Sequence, residues 1–203
     1  QEDHQRAVTG DHPERLGSCG REGFVSEIRV VDPDGNPVPK DGNAYGEIIV
    51  RSEANMLGYW RRPDLTEQTL RNGWMWTGDI AVWDEQGYVF IVDRAKDMII
   101  SGGENIYSTQ VEAAIHQHSA VLESAVFGVP DEVWGEAVKA VVVLKPGQAA
   151  TEAEIIGEAS KHLASYQKPK SVDFVEALPK APTGKILKRE LRDPYWQTES
   201  RKV

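Results

Sequence analysis

The sequence predicts an α+β fold in two parts, a β-rich stretch over residues 1–93 and a mixed α+β stretch over residues 98–203. Three observations predict it. Through the first ninety residues, short apolar segments with alternating polarity are separated by turns rich in Gly, Pro, Asp and Asn. From residue 98 onward, longer segments of helical period carry start signals and alternate with apolar strands. Between the two regimes lies Asp93-Arg94-Ala95-Lys96-Asp97, with four charges in five residues, as in a solvated linker or hinge over 94–97.

Residues 1 to 23 are polar, contain several Gly and read as loop. Phe24 to Val31 reads as a strand, with Phe24, Ile28 and Val30 on one face and Glu27 and Arg29 on the other. Asp32-Pro33-Asp34-Gly35-Asn36 is a turn, because Pro, Gly and Asx residues supply its dihedrals. Glu47 to Val50 is the next strand. Pro63-Asp64-Leu65-Thr66-Glu67 starts a short helix, with Pro at an early position that lacks a hydrogen-bond partner anyway. Ile80 to Trp83 and Tyr88 to Val92 flank Asp84-Glu85-Gln86-Gly87 as a hairpin.

Past the charged run, Ile99-Ile100 is a short strand. Residues 108–118 have Val111, Ala114, Ile115 and His118 at helical spacing, with Ser108 as N-cap. Residues 121–129 and 137–144 are strands. Residues 151–163 are a helix whose Thr151 and Glu154 fit a capping box. Residues 172–175 form a third strand, and Ile186 to Leu191 a terminal helical turn.

Composition narrows the function. With 40% apolar and 27% charged residues, the 203-residue chain has the make-up of a globular protein. No apolar run approaches the roughly 20 residues of a bilayer-spanning helix, so no integral membrane segment is expected. The N-terminus shows no signal-peptide pattern, and the lone Cys19 cannot form an internal disulfide. A cytoplasmic setting is the expectation. A net charge of −9 argues against nucleic acid as a partner. Lys and Arg concentrate between Lys161 and Lys202; they could meet a phosphorylated ligand, but on charge alone a solvated helix face is the reading preferred. The five His residues form no ligand cluster, so no metal site is expected.

Three segments have the make-up of chemistry-bearing sites, and each also fits a plainer reading. Pro179-Lys180-Ala181-Pro182-Thr183-Gly184-Lys185 presents Lys185 on a Pro/Thr/Gly loop. It departs from a nucleotide-hydrolase phosphate loop at Pro179 and Ile186, where that pattern needs Gly and Ser or Thr. What is left is a lysine able to meet a delocalised anion, or a surface lysine. Trp76-Thr77-Gly78-Asp79 places a carboxylate after a tight turn. That suits a pair of ribose hydroxyls, or an ordinary turn cap. Ser101-Gly102-Gly103 permits close backbone approach to a ligand, or is a simple turn.

Taken in order, these segments resemble the acyl-activating, adenylate-forming superfamily of acyl-CoA synthetases, luciferases and peptide-synthetase adenylation domains. Gly46-Glu47-Ile48-Ile49-Val50 with Gly58-Tyr59-Trp60, then Trp76 to Asp79, then Asp93 to Tyr107, then Pro179 to Lys185, are similar to four family motifs. The resemblance runs from about Pro13 to Leu191, and Ser101 to Asn105 with Tyr166-Gln167-Lys168-Pro169 is typical of fatty-acyl and related CoA ligases.

The resemblance implies a fold and a set of roles. The first part would be a distorted, barrel-like end of the large AMP-binding domain, and the second a small mobile lid. Lys185 would be catalytic, bridging substrate carboxylate and nucleotide phosphate. Asp79 and Arg94 would bind the ribose of ATP or AMP, and Lys96 would be the hinge. Gly102, Gly103, Glu104, Trp134, Tyr166 and Lys168 would face CoA. The implied substrates are a carboxylic acid, ATP with Mg²⁺, and CoA. In the family the phosphate loop, adenine segment and acyl pocket precede the region matched here. The chain is therefore expected to be a C-terminal portion, inactive by itself, whose partner is the missing N-terminal part of the same enzyme. An adenylation domain that loads a carrier protein and a non-catalytic nucleotide-binding module are the alternatives.

Overall fold

The computed structural model describes residues 15–196. The polar leader with His4 and His12, and Pro13 where the family resemblance begins, lie outside the described residues. The chain divides between Ala95 and Lys96 into two compact units.

In the first unit, β1 (Ser26–Val31), β2 (Gly46–Ser52), β3 (Leu70–Arg71), β4 (Trp74–Trp83) and β5 (Val89–Arg94) form one antiparallel sheet. The order is β1-β2-β4-β3, and β5 also pairs with β4. Successive side chains on a strand point to opposite faces, and both faces of this sheet are covered. Val30, Ile48, Ala81, Trp83 and Val89 pack on one side, and Val31, Ile49 and Trp74 on the other. The Trp83 indole N–H donates to the carbonyls of Val38 (3.0 Å) and Pro39 (3.1 Å), which satisfies its buried polar end. The Asp84–Gly87 turn is closed by Gly87 N–H on Asp84 O at 2.8 Å, and the Asp84 carboxylate accepts from the amides of Gln86 and Tyr88. Helix α1 (Pro63–Thr69) starts on its proline.

Two strand expectations need correction. Phe24 is fully exposed and precedes β1, which begins at Ser26, so the apolar alternation there carries on past the ladder's end. Residues Trp74 to Asp79 also belong to β4, a ten-residue strand of which the hairpin pattern showed only the last four.

In the second unit, β6 (Ile99–Ser101), β7 (Glu104–Ile106), β8 (Val121–Asp131), β9 (Gly135–Leu144) and β10 (Ser171–Phe174) share a sheet ordered β10-β9-β6-β7, and β8 pairs with β9. The β10–β9 pair is parallel and the others are antiparallel. Helices α2 (Ser108–Ile115) and α3 (Glu152–Ala159) contribute Val111, Ile115 and Ile155 to a core with Ile99, Ile106, Val126, Val138, Val142 and Val172. The opposite face carries Phe127, Val141, Val143 and Leu178, with Leu191 of α4 (Lys188–Arg192) packed against them. This two-sided burial accounts for the nearly unbroken apolar run of β9.

The capping box at α3 is formed. The Thr151 hydroxyl accepts from the Glu154 amide, and the Glu154 carboxylate accepts from the Thr151 amide at 2.8 Å. The helix ends at Ala159, short of the expected Leu163. Ser108 does not cap α2. Tyr107 occupies the N-cap position without a side-chain bond, and Ser108 is the first helical residue, fully buried. Its hydroxyl is committed to a side chain far along the chain, described below.

Candidate functional site

In the first unit, Thr77-Gly78-Asp79 bulges from β4. Partners step from Glu47↔Ile80 to Ile49↔Trp76, so β4 carries two more residues than β2 across this interval. Gly78 has φ 74°, a conformation that a side chain disfavours. Three hydrogen bonds fix the excursion. Gly78 N–H donates to the Glu47 carboxylate (2.9 Å), Thr77 Oγ1 donates to Ile48 O (2.8 Å), and Asp79 N–H donates to Thr77 Oγ1 (3.1 Å). Asp79 is paired in register with Arg94 on β5, and Arg94 Nε lies 3.0 Å from Asp79 Oδ1. Both side chains keep access to solvent. The two predicted ribose residues are thus brought together, with Glu47 as a support that the sequence did not single out.

An open cleft of about 1410 Å³ in this unit is lined by Ser26, Ile28, Lys40, Arg51 and Trp83 among others, and by neither Asp79 nor Arg94.

In the second unit, Gly102 (φ 60°) and Gly103 (φ 86°) make the tight β6–β7 turn, and Glu104 starts β7, exposed. Gly102 N–H donates to Trp134 O at 2.8 Å, and Ser101 pairs with Gly135. A Cβ on Gly102 would stand 2.7 Å from Trp134 Cε3, so the half-exposed indole lies directly over this glycine. Trp134 is held by the Asp131 carboxylate, which accepts from the amides of Val133 and Trp134, each at 2.9 Å. Those amide bonds, Trp134's first, hold the Asp131 carboxyl below its ordinary range. Tyr166 and Lys168 stand at a 3-10 turn over Ser165–Gln167, where Gln167 Oε1 accepts from Ala164 N–H and its amide nitrogen donates to Gln110. Tyr166 is exposed and Lys168 half-buried.

Lys185 is exposed. The Pro/Thr/Gly segment before it is a closed turn. Ala181 N–H donates to Lys185 O, Gly184 N–H (φ 83°) to Ala181 O, and Leu187 N–H to Pro179 O, all at 2.8 Å. The Pro and Gly residues supply the φ values of this tight turn. Three residues on, Lys188 Nζ reaches Ser108 Oγ (2.6 Å) and Glu112 Oε1 (2.7 Å). Glu112 Oε1 also accepts from Val126 N–H of β8 at 2.8 Å. Among the described residues, no group of three or more His, Cys, Asp or Glu is placed to hold a metal ion, and no helix is long and apolar enough to cross a membrane.

Comparison with known proteins identifies the family. The profile of the AMP-binding enzymes matches residues 6–60, and that of the AMP-binding enzyme C-terminal domain matches residues 110–185. A feruloyl-CoA synthase from Amycolatopsis is 46% identical over 179 residues, covering 88% of this chain and 36% of that protein. A long-chain-fatty-acid–CoA ligase from Yersinia pestis is 48% identical, covering 87% and 31%. The crystal structure of ATP-bound MatB from Rhodopseudomonas palustris superposes with a TM-score of 0.82 at 39% identity, over 88% of this chain and 36% of that one. The chain belongs to the AMP-binding, adenylate-forming ligase family. It spans about a third of the length of the curated relatives it matches.

Proposed function

We propose that the chain is the C-terminal portion of an ATP-dependent acyl-CoA synthetase, an acid–thiol ligase that makes an acyl-adenylate and then an acyl-CoA, with a fatty acid as the acyl donor. The observation that carries the proposal is the Asp79–Arg94 pair, presented together by a bulge of β4 and the facing end of β5. A carboxylate accepts two hydroxyl hydrogen bonds at once, which fits the 2′ and 3′ positions of a ribose. The likeness to an ATP-bound relative over nearly the whole chain supports this use.

The roles follow. Asp79 and Arg94 hold the ribose of ATP or AMP. Lys185 neutralises charge as the substrate carboxylate attacks the α-phosphate of Mg-ATP and pyrophosphate leaves. Lys96 is the hinge on which the second unit turns between half-reactions. Gly102, Gly103, Glu104, Trp134, Tyr166 and Lys168 then face CoA, whose thiolate attacks the acyl carbonyl and expels AMP. In this reading the other partner is the N-terminal region that supplies the acyl pocket, and the 203 residues alone are inactive.

The test is Asp79→Ala in the full-length ligase. Losing a charge-assisted acceptor predicts a rise of about 10- to 100-fold in KM for ATP, with KM for CoA little changed. An unchanged KM for ATP in a folded variant refutes the ribose role. A second reading, transfer to a carrier protein, is favoured by one relative, a fatty acid–[acyl-carrier-protein] ligase from Streptomyces coeruleorubidus at 43% identity. Offering free CoA and a carrier protein as rival acceptors separates the two.

A further inference from the structure

Helix α4 carries two cations one turn apart, Lys188 and Arg192, so both lie on one side of the helix. Both are largely withdrawn from solvent. The Lys188 side chain is 15% exposed, and the Arg192 side chain 13%. Lys188 is bound to Ser108 and Glu112 of α2, as described. Arg192 Nη1 donates to the backbone carbonyl of Lys96 at 2.9 Å and lies 3.6 Å from Asp97 Oδ1. A guanidinium that engages both a carbonyl and the next residue's carboxylate fixes the plane of the peptide between them.

We propose that Arg192 is a positioning residue for the hinge. It clamps the Lys96–Asp97 peptide to the second unit and confines the swivel to the torsions of Lys96 and of the residues before it. The inference rests on the ligase reading above, in which Lys96 is the pivot.

The geometry makes the consequence specific. With the Lys96 carbonyl held, every torsion from the Lys96–Asp97 peptide onward moves with the second unit. The short 3-10 turn over Ala95–Asp97 then cannot share the rotation along its whole length. The same helix begins three residues after Lys185 and is pinned to α2 at Lys188. The catalytic-loop end and the hinge end of the second unit are therefore referenced to one five-residue strut. A loose pivot would let Lys185 arrive at a spread of positions, and transition-state stabilisation falls steeply with small misplacement.

The test has two arms. In the 203-residue chain, hydrogen exchange is measured by mass spectrometry for the wild type, Arg192→Ala and Arg192→Lys. Lys188 stays in place to keep α4 docked. The expected result for Arg192→Ala is exchange about tenfold faster at Asp97 and Met98, with β8 and β9 unchanged and Arg192→Lys intermediate. In the full-length ligase, the same Ala variant is expected to lower kcat of the two-step reaction about tenfold. KM for ATP and for CoA should stay within about twofold, and the Lys variant should recover most of the rate. Unchanged exchange at residues 97–98, or faster exchange across the whole second unit, overturns the clamp. Local loosening with kcat unaffected overturns its role in the hinge. Neither outcome bears on Asp79, so a failure of the ligase reading is separately visible.

Discussion

Replacing Gly102 by Ala adds one methyl group at a point where two costs can be separated. The first is backbone strain. Gly102 has φ 60°, in the left-handed region, where a Cβ costs about 1–2 kcal/mol. The second is collision, because the new carbon would lie 2.7 Å from Trp134 Cε3 and 3.2 Å from Cζ3. Trp134 is half-exposed, so the ring can swing away, at about 0.5–1.5 kcal/mol for an off-rotamer side chain. Gly103→Ala is the control. Its φ is 86°, and a Cβ there meets nothing within 4 Å, so it carries the first cost only. Both variants should lose stability in urea denaturation of the 203-residue chain, Gly102→Ala by about 0.5–1.5 kcal/mol more. Only Gly102→Ala should shift the Trp134 indole N–H resonance. In the full-length ligase it should also raise KM for CoA more than KM for ATP. An indole resonance that moves equally in both variants, or in neither, refutes the packing of Trp134 on Gly102.

Two further outcomes follow from local chemistry. Thr151→Ala removes the N-cap of α3 and should cost about 1 kcal/mol in the same denaturation assay, while a Ser there should restore most of it. Backbone N–H donation, chiefly from Trp134 and then Val133, lowers the Asp131 carboxyl, so its stabilising effect is full above the ordinary carboxyl pKa and is lost as pH falls through the lowered folded-state value. The Trp134 amide should therefore titrate below the ordinary Asp value of about 3.9, and a midpoint at or above that value by NMR contradicts the bond.

The legible parts of this fold are those written in adjacent residues. Pro63 at the head of α1, the Thr151–Glu154 box and the Asp84–Gly87 hairpin all depend on neighbours within a few positions. The order of motifs placed Asp79, Arg94 and Lys185, and the first two do meet across β4 and β5. What escaped the sequence is long-range. Ser108 looks like an N-cap because Ser before an apolar helix usually is one, yet its hydroxyl is held by Lys188, eighty residues away. Glu47 sits in an ordinary strand pattern, and only the bulge of β4 brings the Gly78 amide to its carboxylate. Arg192 reads as one more charge on a basic tail until α4 is docked beside Lys96. The Pro/Thr/Gly composition marks a loop before Lys185, but the bonds that close it, Ala181 N–H to Lys185 O and Gly184 N–H to Ala181 O, show only in the structure.

The central claim is that Lys185 serves the first half-reaction and stands aside for the second. The direct measurement compares Lys185→Ala with wild type in the full-length ligase, once by ATP–pyrophosphate exchange and once by CoA thioester formation from a supplied acyl-adenylate. The account predicts that adenylation falls by about 10²- to 10³-fold, the range for losing a group that meets transition-state charge, while thioester formation stays within about threefold. Equal loss in both half-reactions would contradict it.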